Sequence, residues 1–253
     1  MGFDSAHKAA AELAETDFFI SIDGDNKIDP SFLLQILDWS KTNPKAVHRW
    51  RARNSVNGLI YGNGGVVGWP KKTCLEMRTH ENADTKENQI DFCWGVPHEN
   101  LHNVYSETVI NASPDQAFTA GFREGVKMSL DRGQVIDPTE FVDKIYKPNL
   151  KCLTTWMSVG ADTEYGLWAM LGARIGCWQT VIKGNDLLKV RELDYIKDRF
   201  FHRVIDINEE LTKFGNSLKI RLGLPLADYD EEQSKFFKFC QPAYKNKGVQ
   251  DRE

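Results

Sequence analysis

The apolar positions of this chain fall into a short unbroken run near its start, an alternating stretch after it and helical-period stretches further on. Phe18-Phe19-Ile20-Ser21-Ile22 is rich in β-branched and aromatic residues, the pattern of a buried strand. Ahead of it, Ala6 to Ala14 holds strong helix formers throughout. The pair reads as helix, tight turn, strand. Ser31 to Trp39 has a helical apolar pattern behind a serine cap, in a region that Pro44 ends. His48, Trp50 and Ala52 then alternate with Arg49, Arg51 and Arg53, as in a strand with one basic face. Asn57-Gly58 is a strong turn signal, so Leu59-Ile60-Tyr61 begins the return strand of a hairpin. A helix is predicted behind Ser113, with Pro114 at its first position and Phe118, Phe122 and Val126 on its apolar face. Another runs from Tyr165 to Leu171, closed by Gly172. The last third alternates helical patterns and ends in a polar tail, 245–253, read as flexible.

Chemistry concentrates where the first strand stops. Asp23-Gly24-Asp25-Asn26 follows Ile22 directly, and the carboxyl ends of strands are where open α/β sheets bind ligands. Asp23 and Asp25, two apart, point the same way if strand geometry persists, and Gly24 leaves room between them. Adjacent carboxylates repel, so the pair favours a hard divalent cation such as Mg²⁺ or Mn²⁺. The same four residues are also good turn formers. Downstream, Gly62-Asn63-Gly64-Gly65 permits close backbone approach to a ligand, although hairpin ends need glycine in any case.

The stretch AHKAAAELAETDFFISIDGDNKIDPSF, Ala6 to Phe32, resembles the centre of a GT-A glycosyltransferase, in which a helix leads into a strand ending in Asp-x-Asp. The resemblance implies an α/β fold: a GT-A-like mixed twisted sheet with flanking helices and a helical insertion. It implies that Asp25 binds the metal bridging a nucleotide-sugar diphosphate, that Asp23 helps hold the ribose or sugar, and that Gly64 and Gly65 lie beside the donor sugar. Gly160-Ala161-Asp162-Thr163-Glu164 resembles the family's Glu-Asp-x-Glu segment, with Ala161 in place of its first acid. On that match Asp162 is the base that takes the acceptor's proton, with Glu164 close to a sugar; a base beside the acceptor favours inversion. From the residues alone, Asp162 reads equally as a helix cap and Glu164 as a charge offsetting the helix dipole. His202 is a candidate third metal ligand, set against a structural role beside Phe200 and Phe201. About twenty residues precede Asp23, where the family has a βαβ unit that cradles the base. The expectation is a missing preceding segment or a compact variant, and the donor nucleotide stays open.

The stretch 70–155 is long for the family and is expected to be an insertion within a single domain spanning 1–253. Its segment SPDQAFTAGFREGVKMSLDRG resembles insertions in glycosyltransferase-like proteins of tailed bacteriophages, which implies a host-cytoplasmic enzyme and, by analogy, a hydroxymethylated pyrimidine in phage DNA as acceptor. Arg49, Arg51, Arg53, Lys71, Lys72, Arg123 and Lys127 would then form a basic path, with Trp69 and Trp94 stacking on a flipped base. A rival reading rests on His98-Glu99-Asn100-Leu101-His102, which matches the H-E-x-x-H zinc metalloprotease signature, with Glu124 as third ligand. A third is a non-catalytic sugar- or nucleotide-binding module on the same fold.

Composition narrows this only a little. The 253 residues suit one large domain, and 41% hydrophobic with 27% charged is ordinary for a globular chain. A net charge of -4 gives no global positive field toward nucleic acid or a membrane surface. No window of about 18 apolar residues is present and no secretory pattern opens the chain. Five cysteines without a CxxC pair read as reduced, mostly buried thiols in a cytoplasmic setting.

Overall fold

The computed structural model describes residues 2–84, 95–131, 133–184, 189 and 192–241. Trp94 and the tail 245–253 lie outside the described residues. The chain divides into two compact units, the first drawn from Met1–Arg53 and Ile60–Thr108, the second from Asn54–Leu59 and Val109–Gln241. The stretch 70–155 is shared between them.

The first unit is an α/β layer structure. Helix α1 (Phe3–Leu13) leads into β1 (Phe18–Ile22), and β2 (Asn26–Ile28), β3 (Val47–Asn54), β4 (Ile60–Pro70), α2 (Lys71–Glu76) and β5 (His98–Thr108) follow. The strands lie in the order β1-β4-β3-β5-β2. The β1/β4, β3/β4 and β2/β5 pairs are antiparallel. Between β3 and β5 the contacts advance together along both strands: Val47 N–H donates to the Pro97 carbonyl at 2.8 Å, His48 meets Glu99 at 3.6 Å, and Arg49 donates to Asn100. That is parallel pairing, and it makes the sheet mixed.

Apolar residues cover both faces. Ala11, Val47, Val67, Trp69, Cys74 and Met77 form a core beneath α1 and α2; Phe32, Trp50, Val66, Leu101 and Tyr105 form another on the opposite face. Adjacent Val66 and Val67 serve opposite faces, as expected of a strand buried on both sides. The basic row of β3 is graded: Arg49 is buried at 9% exposure, while Arg51 and Arg53 are half-buried.

A buried acid fastens α1. Asp4, fully buried, accepts from Thr79 N–H at 2.7 Å and Asn82 Nδ2 at 3.0 Å and pairs with Lys8 at 2.8 Å. Glu81 caps the helix from 77 residues away, accepting from the Asp4 and Ser5 amides at 3.1 and 2.8 Å. Burial is the largest influence on Asp4 and raises its pKa, yet the donors from Lys8, Asn82 and Thr79 together hold it below the ordinary value. Burial is likewise the largest single influence on Glu81 and raises it, but hydrogen bonds from Ser5, its own amide and Asp4 together bring it down to about 2.

Local signals differ from the outcome at Ser31 to Trp39. Only Pro30–Leu34 is helical, a 3₁₀ turn capped by Asp29, whose carboxylate accepts from Ser31 N–H at 2.8 Å. Phe32 alone of its apolar residues is buried, while Leu33, Leu34 and Ile36 face solvent, so no core holds the pattern helical.

The second unit is mainly helical: α3 (Pro114–Met128), α4 (Phe141–Lys144), α5 (Lys147–Ser158), α6 (Gly166–Cys177), α7 (Leu193–Arg199), α8 (Ile207–Leu222) and α9 (Glu231–Phe239). Ser113 caps α3 as expected, accepting from Gln116 N–H at 3.3 Å. Gly172 does not close α6, which runs on to Cys177. The reason is packing. A Cβ at Gly172 would stand 2.1 Å from the Phe118 carbonyl oxygen, and one at Gly176 2.2 Å from that of Phe122. In return, Cβ atoms at Gly121 and Gly125 would lie 2.0 and 2.3 Å from the carbonyls of Ala169 and Ala173. Two glycine pairs spaced by four residues thus bring the backbones of α3 and α6 together. Behind α6, fully buried Arg174 donates to the carbonyls of Met157 and Leu211 and pairs with Asp228 at 2.7 Å.

The described cysteines are all free; Cys74 and Cys177 are buried, Cys152 is half-buried and Cys240 exposed, so the expected burial holds for two of four. Among the described residues no helix is long and apolar enough to cross a membrane.

Candidate functional site

The first unit brings the acid pair and a glycine of the second motif together. At the end of β1, the ladder with β4 extends by one more bond, from Asp23 N–H to the Gly65 carbonyl at 2.8 Å. The register forces this meeting. Trp50 pairs with Val66 and Ala52 with Tyr61, so β4 runs out of step with β3 across the Gly62–Gly65 stretch. Gly65 sits there with φ +75°, a left-handed conformation that costs glycine little. A Cβ on it would lie 2.4 Å from Asn26 Nδ2 and 2.8 Å from Asp23 Oδ2. Glycine at this position is what lets both side chains close over the backbone. Gly64 lies beside it in β4.

The turn after β1 is tied back on itself. Asn26 N–H donates to the Asp23 carbonyl at 3.0 Å, and Asn26 Nδ2 donates to Asp25 Oδ1 at 3.0 Å. Gly24, with no atom within 4 Å of a built Cβ, faces open space. The electrostatics are unfavourable for two bare acids. Partial desolvation at the strand end, then the negative charge of Asp25, raise the pKa of Asp23, and His7 on α1 offsets this only in part. Asp23 still reaches solvent, so a bound ion or ligand has access.

Two carboxylates are a thin donor set. Among the described residues no group of three or more His, Cys, Asp or Glu side chains is placed to hold a metal ion. The pair therefore fits a cation only of the kind that takes most of its ligands from water and substrate oxygens, which is the habit of Mg²⁺. His202 belongs to the second unit, in a short 3₁₀ turn (Phe201–Arg203), 59% exposed and 3.9 Å from Asp198.

In the second unit, Asp162 and Glu164 occupy the loop before α6. Asp162 is not the cap of that helix. The capping position is Tyr165, in a left-handed conformation with φ 57°, an uncommon state for a bulky residue. The Asp162 side chain, 9% exposed, pairs with Lys238 of α9 at 2.7 Å. Lys238 also donates to Thr163 Oγ1 at 2.8 Å and to the Val56 carbonyl at 3.2 Å. Glu164 is exposed, and its carbonyl accepts from Asn111 Nδ2 at 2.9 Å. Lys238 is the residue that the sequence reading missed. It stands 76 positions from Asp162 in a helix that otherwise reads as a solvated surface.

The rival motif has the wrong geometry. His98 to His102 begins β5, and in a strand two residues four apart lie about 13 Å from one another, too far to share one zinc ion. Glu124 is paired with Lys127 on α3. Of the aromatic residues assigned to base stacking, Trp69 is fully buried, with Nε1 donating to Ser21 Oγ at 2.8 Å, and cannot reach a base. Several members of the basic path are engaged elsewhere: Lys71 donates to the Ala14 carbonyl, Lys72 meets Glu76 and Lys127 meets Glu124.

No family model, curated protein or solved structure matches this chain.

Proposed function

We propose that the first unit binds a nucleotide-sugar through a divalent cation, as the donor half of a GT-A-like glycosyltransferase. The observation that carries this is the junction at Gly65, where a left-handed glycine is pressed against Asp23 and Asn26 beside two acids that repel each other. Asp23 and Asp25 would hold Mn²⁺ or Mg²⁺, and the cation would offset the charge of the departing diphosphate. In this reading Asp162 remains the acceptor-side base and Glu164 its neighbour, as the resemblance implies. The reading stops there: with Arg49 buried and three of the lysines engaged, no DNA acceptor forms part of it.

The decisive measurement is titration calorimetry with UDP, GDP, ADP and CDP, each with and without Mn²⁺. One nucleotide should bind in a Mn²⁺-dependent way, and Asp25→Ala should abolish that dependence; binding unchanged in the variant overturns the assignment. On the second unit, Asp162→Asn should leave nucleotide affinity intact and lower turnover by a factor on the order of 10²–10⁴. Nucleotide binding without transfer to any acceptor would favour the non-catalytic module.

A further inference from the structure

The turn that carries the acids contains a relay that the proposed function does not use. Asn26 begins β2 and pairs across the ladder with Thr108, the last residue of β5. Its amide is engaged at both ends: Nδ2 donates to Asp25 Oδ1 at 3.0 Å, and Oδ1 accepts from Thr108 Oγ1 at 3.3 Å. An amide that receives a hydroxyl proton at its oxygen can present only its NH₂ to the neighbouring carboxylate, so Thr108 fixes the orientation of Asn26. The missing Cβ of Gly65 is what makes space for that NH₂ group. Among the described residues, Asp25 Oδ2 accepts no hydrogen bond. The carboxylate is thereby oriented with one oxygen committed and the other available.

We propose that Asn26 is the positioning residue of the cation site and that Thr108 acts through it. Asn26 does not touch the cation. It holds Asp25 in one rotamer, so that Oδ2 is presented before the ion arrives, and its neutral donor eases the repulsion between Asp25 and Asp23. Outer partners of metal-binding carboxylates commonly contribute 10–100-fold to affinity in this way. This inference rests on the reading of Asp23 and Asp25 as cation ligands.

The test uses Mn²⁺ alone, with the free-ion signal followed by electron paramagnetic resonance in the whole protein. Asn26→Ala should weaken Mn²⁺ binding about tenfold. Thr108→Val, which keeps the shape and removes the hydroxyl, should weaken it several-fold, and Thr108→Ser should restore the wild-type value. A purely structural role would move only the melting temperature. The double variant separates the two: if Thr108 works through Asn26, Thr108→Val adds nothing in the Asn26→Ala background. Wild-type affinity in Asn26→Ala, or full additivity of the two changes, overturns the relay. If wild-type protein binds no Mn²⁺, or Asp25→Ala binds as well as wild type, the cation reading fails and takes the relay with it.

Discussion

Two acid pairs in the first unit, Asp4 with Glu81 and Asp23 with Asp25, meet opposite fates. Asp4 is fully buried, yet its carboxylate is surrounded by an amide, a side-chain amide and an ammonium group, and its pKa falls. Glu81 receives two helix amides and falls further. Asp23 remains accessible to water, yet its pKa rises, because the strand end desolvates it and its acidic neighbour repels it. Burial therefore does not decide the direction of these shifts; the presence or absence of compensating donors does. Asp4 and Glu81 are satisfied by the protein itself, whereas the proposed cation site leaves Asp23 for a ligand to satisfy.

Mutation should separate the two pairs. Asp4→Ala removes the acceptor from donors on three residues at once and should cost about 3 kcal/mol, read as a lower urea midpoint. Gly65→Ala forces φ +75° on alanine and drives a methyl group into Asn26 and Asp23. It should cost roughly 1–2 kcal/mol and weaken Mn²⁺ binding, as calorimetry would report. A cation should stabilise only the second pair: Mn²⁺ at ten times its Kd adds about 1.4 kcal/mol to wild-type protein and nothing to Asp25→Ala, visible as a shift in melting temperature.

The smallest effect is the most diagnostic. Asp4 and Glu81 have folded pKa values below their unfolded ones, so their stabilisation is complete above the unfolded values, 3.8 and 4.5. It is lost as pH falls, for Glu81 toward about 2. Asp23 has the opposite sign, because its folded pKa is raised: its ionisation lowers stability as pH rises from 3.8 through the folded value. Asp23→Asn should therefore be neutral or slightly stabilising at pH 7, and lose that advantage below pH 3.8. Melting curves from pH 2 to 8 on wild type, Glu81→Gln and Asp23→Asn would separate the two signs. A stability loss on Asp23→Asn at neutral pH, matching that of Asp4→Ala, would erase the distinction.

What could be read from the sequence follows the range of the forces involved. The strand at Phe18 to Ile22, the turn at Asn57-Gly58 and the cap at Ser113 are set by neighbours within a few residues, and all three are present, although the strand lies at the sheet edge with Ile20 and Ile22 exposed rather than buried as its apolar run suggests. Asp23, Asp25 and Gly65 are linked in advance only by the resemblance; the pairing of β4 with β1 that joins them spans more than forty residues and shows in no local pattern. The misreadings arose where distant partners decide. Gly172 looked like a stop because its role as a contact with Phe118 is invisible in its own neighbourhood. His98 to His102 had helical metal-site spacing, but Leu101 and Tyr105 are drawn into the sheet core and the segment pairs as a strand. Asp162 looked like a helix cap because Lys238 lies too far along the chain to be seen beside it.

The glycine contacts between α3 and α6 have a consequence for how the second unit forms. Each glycine inside a helix costs about 1 kcal/mol relative to alanine, so four of them leave both helices weak on their own. What compensates is the close approach itself, and it exists only when both helices are present. The two should therefore appear together during folding. In hydrogen exchange, the interior amides of Pro114–Met128 and Gly166–Cys177 should open as a single cooperative block.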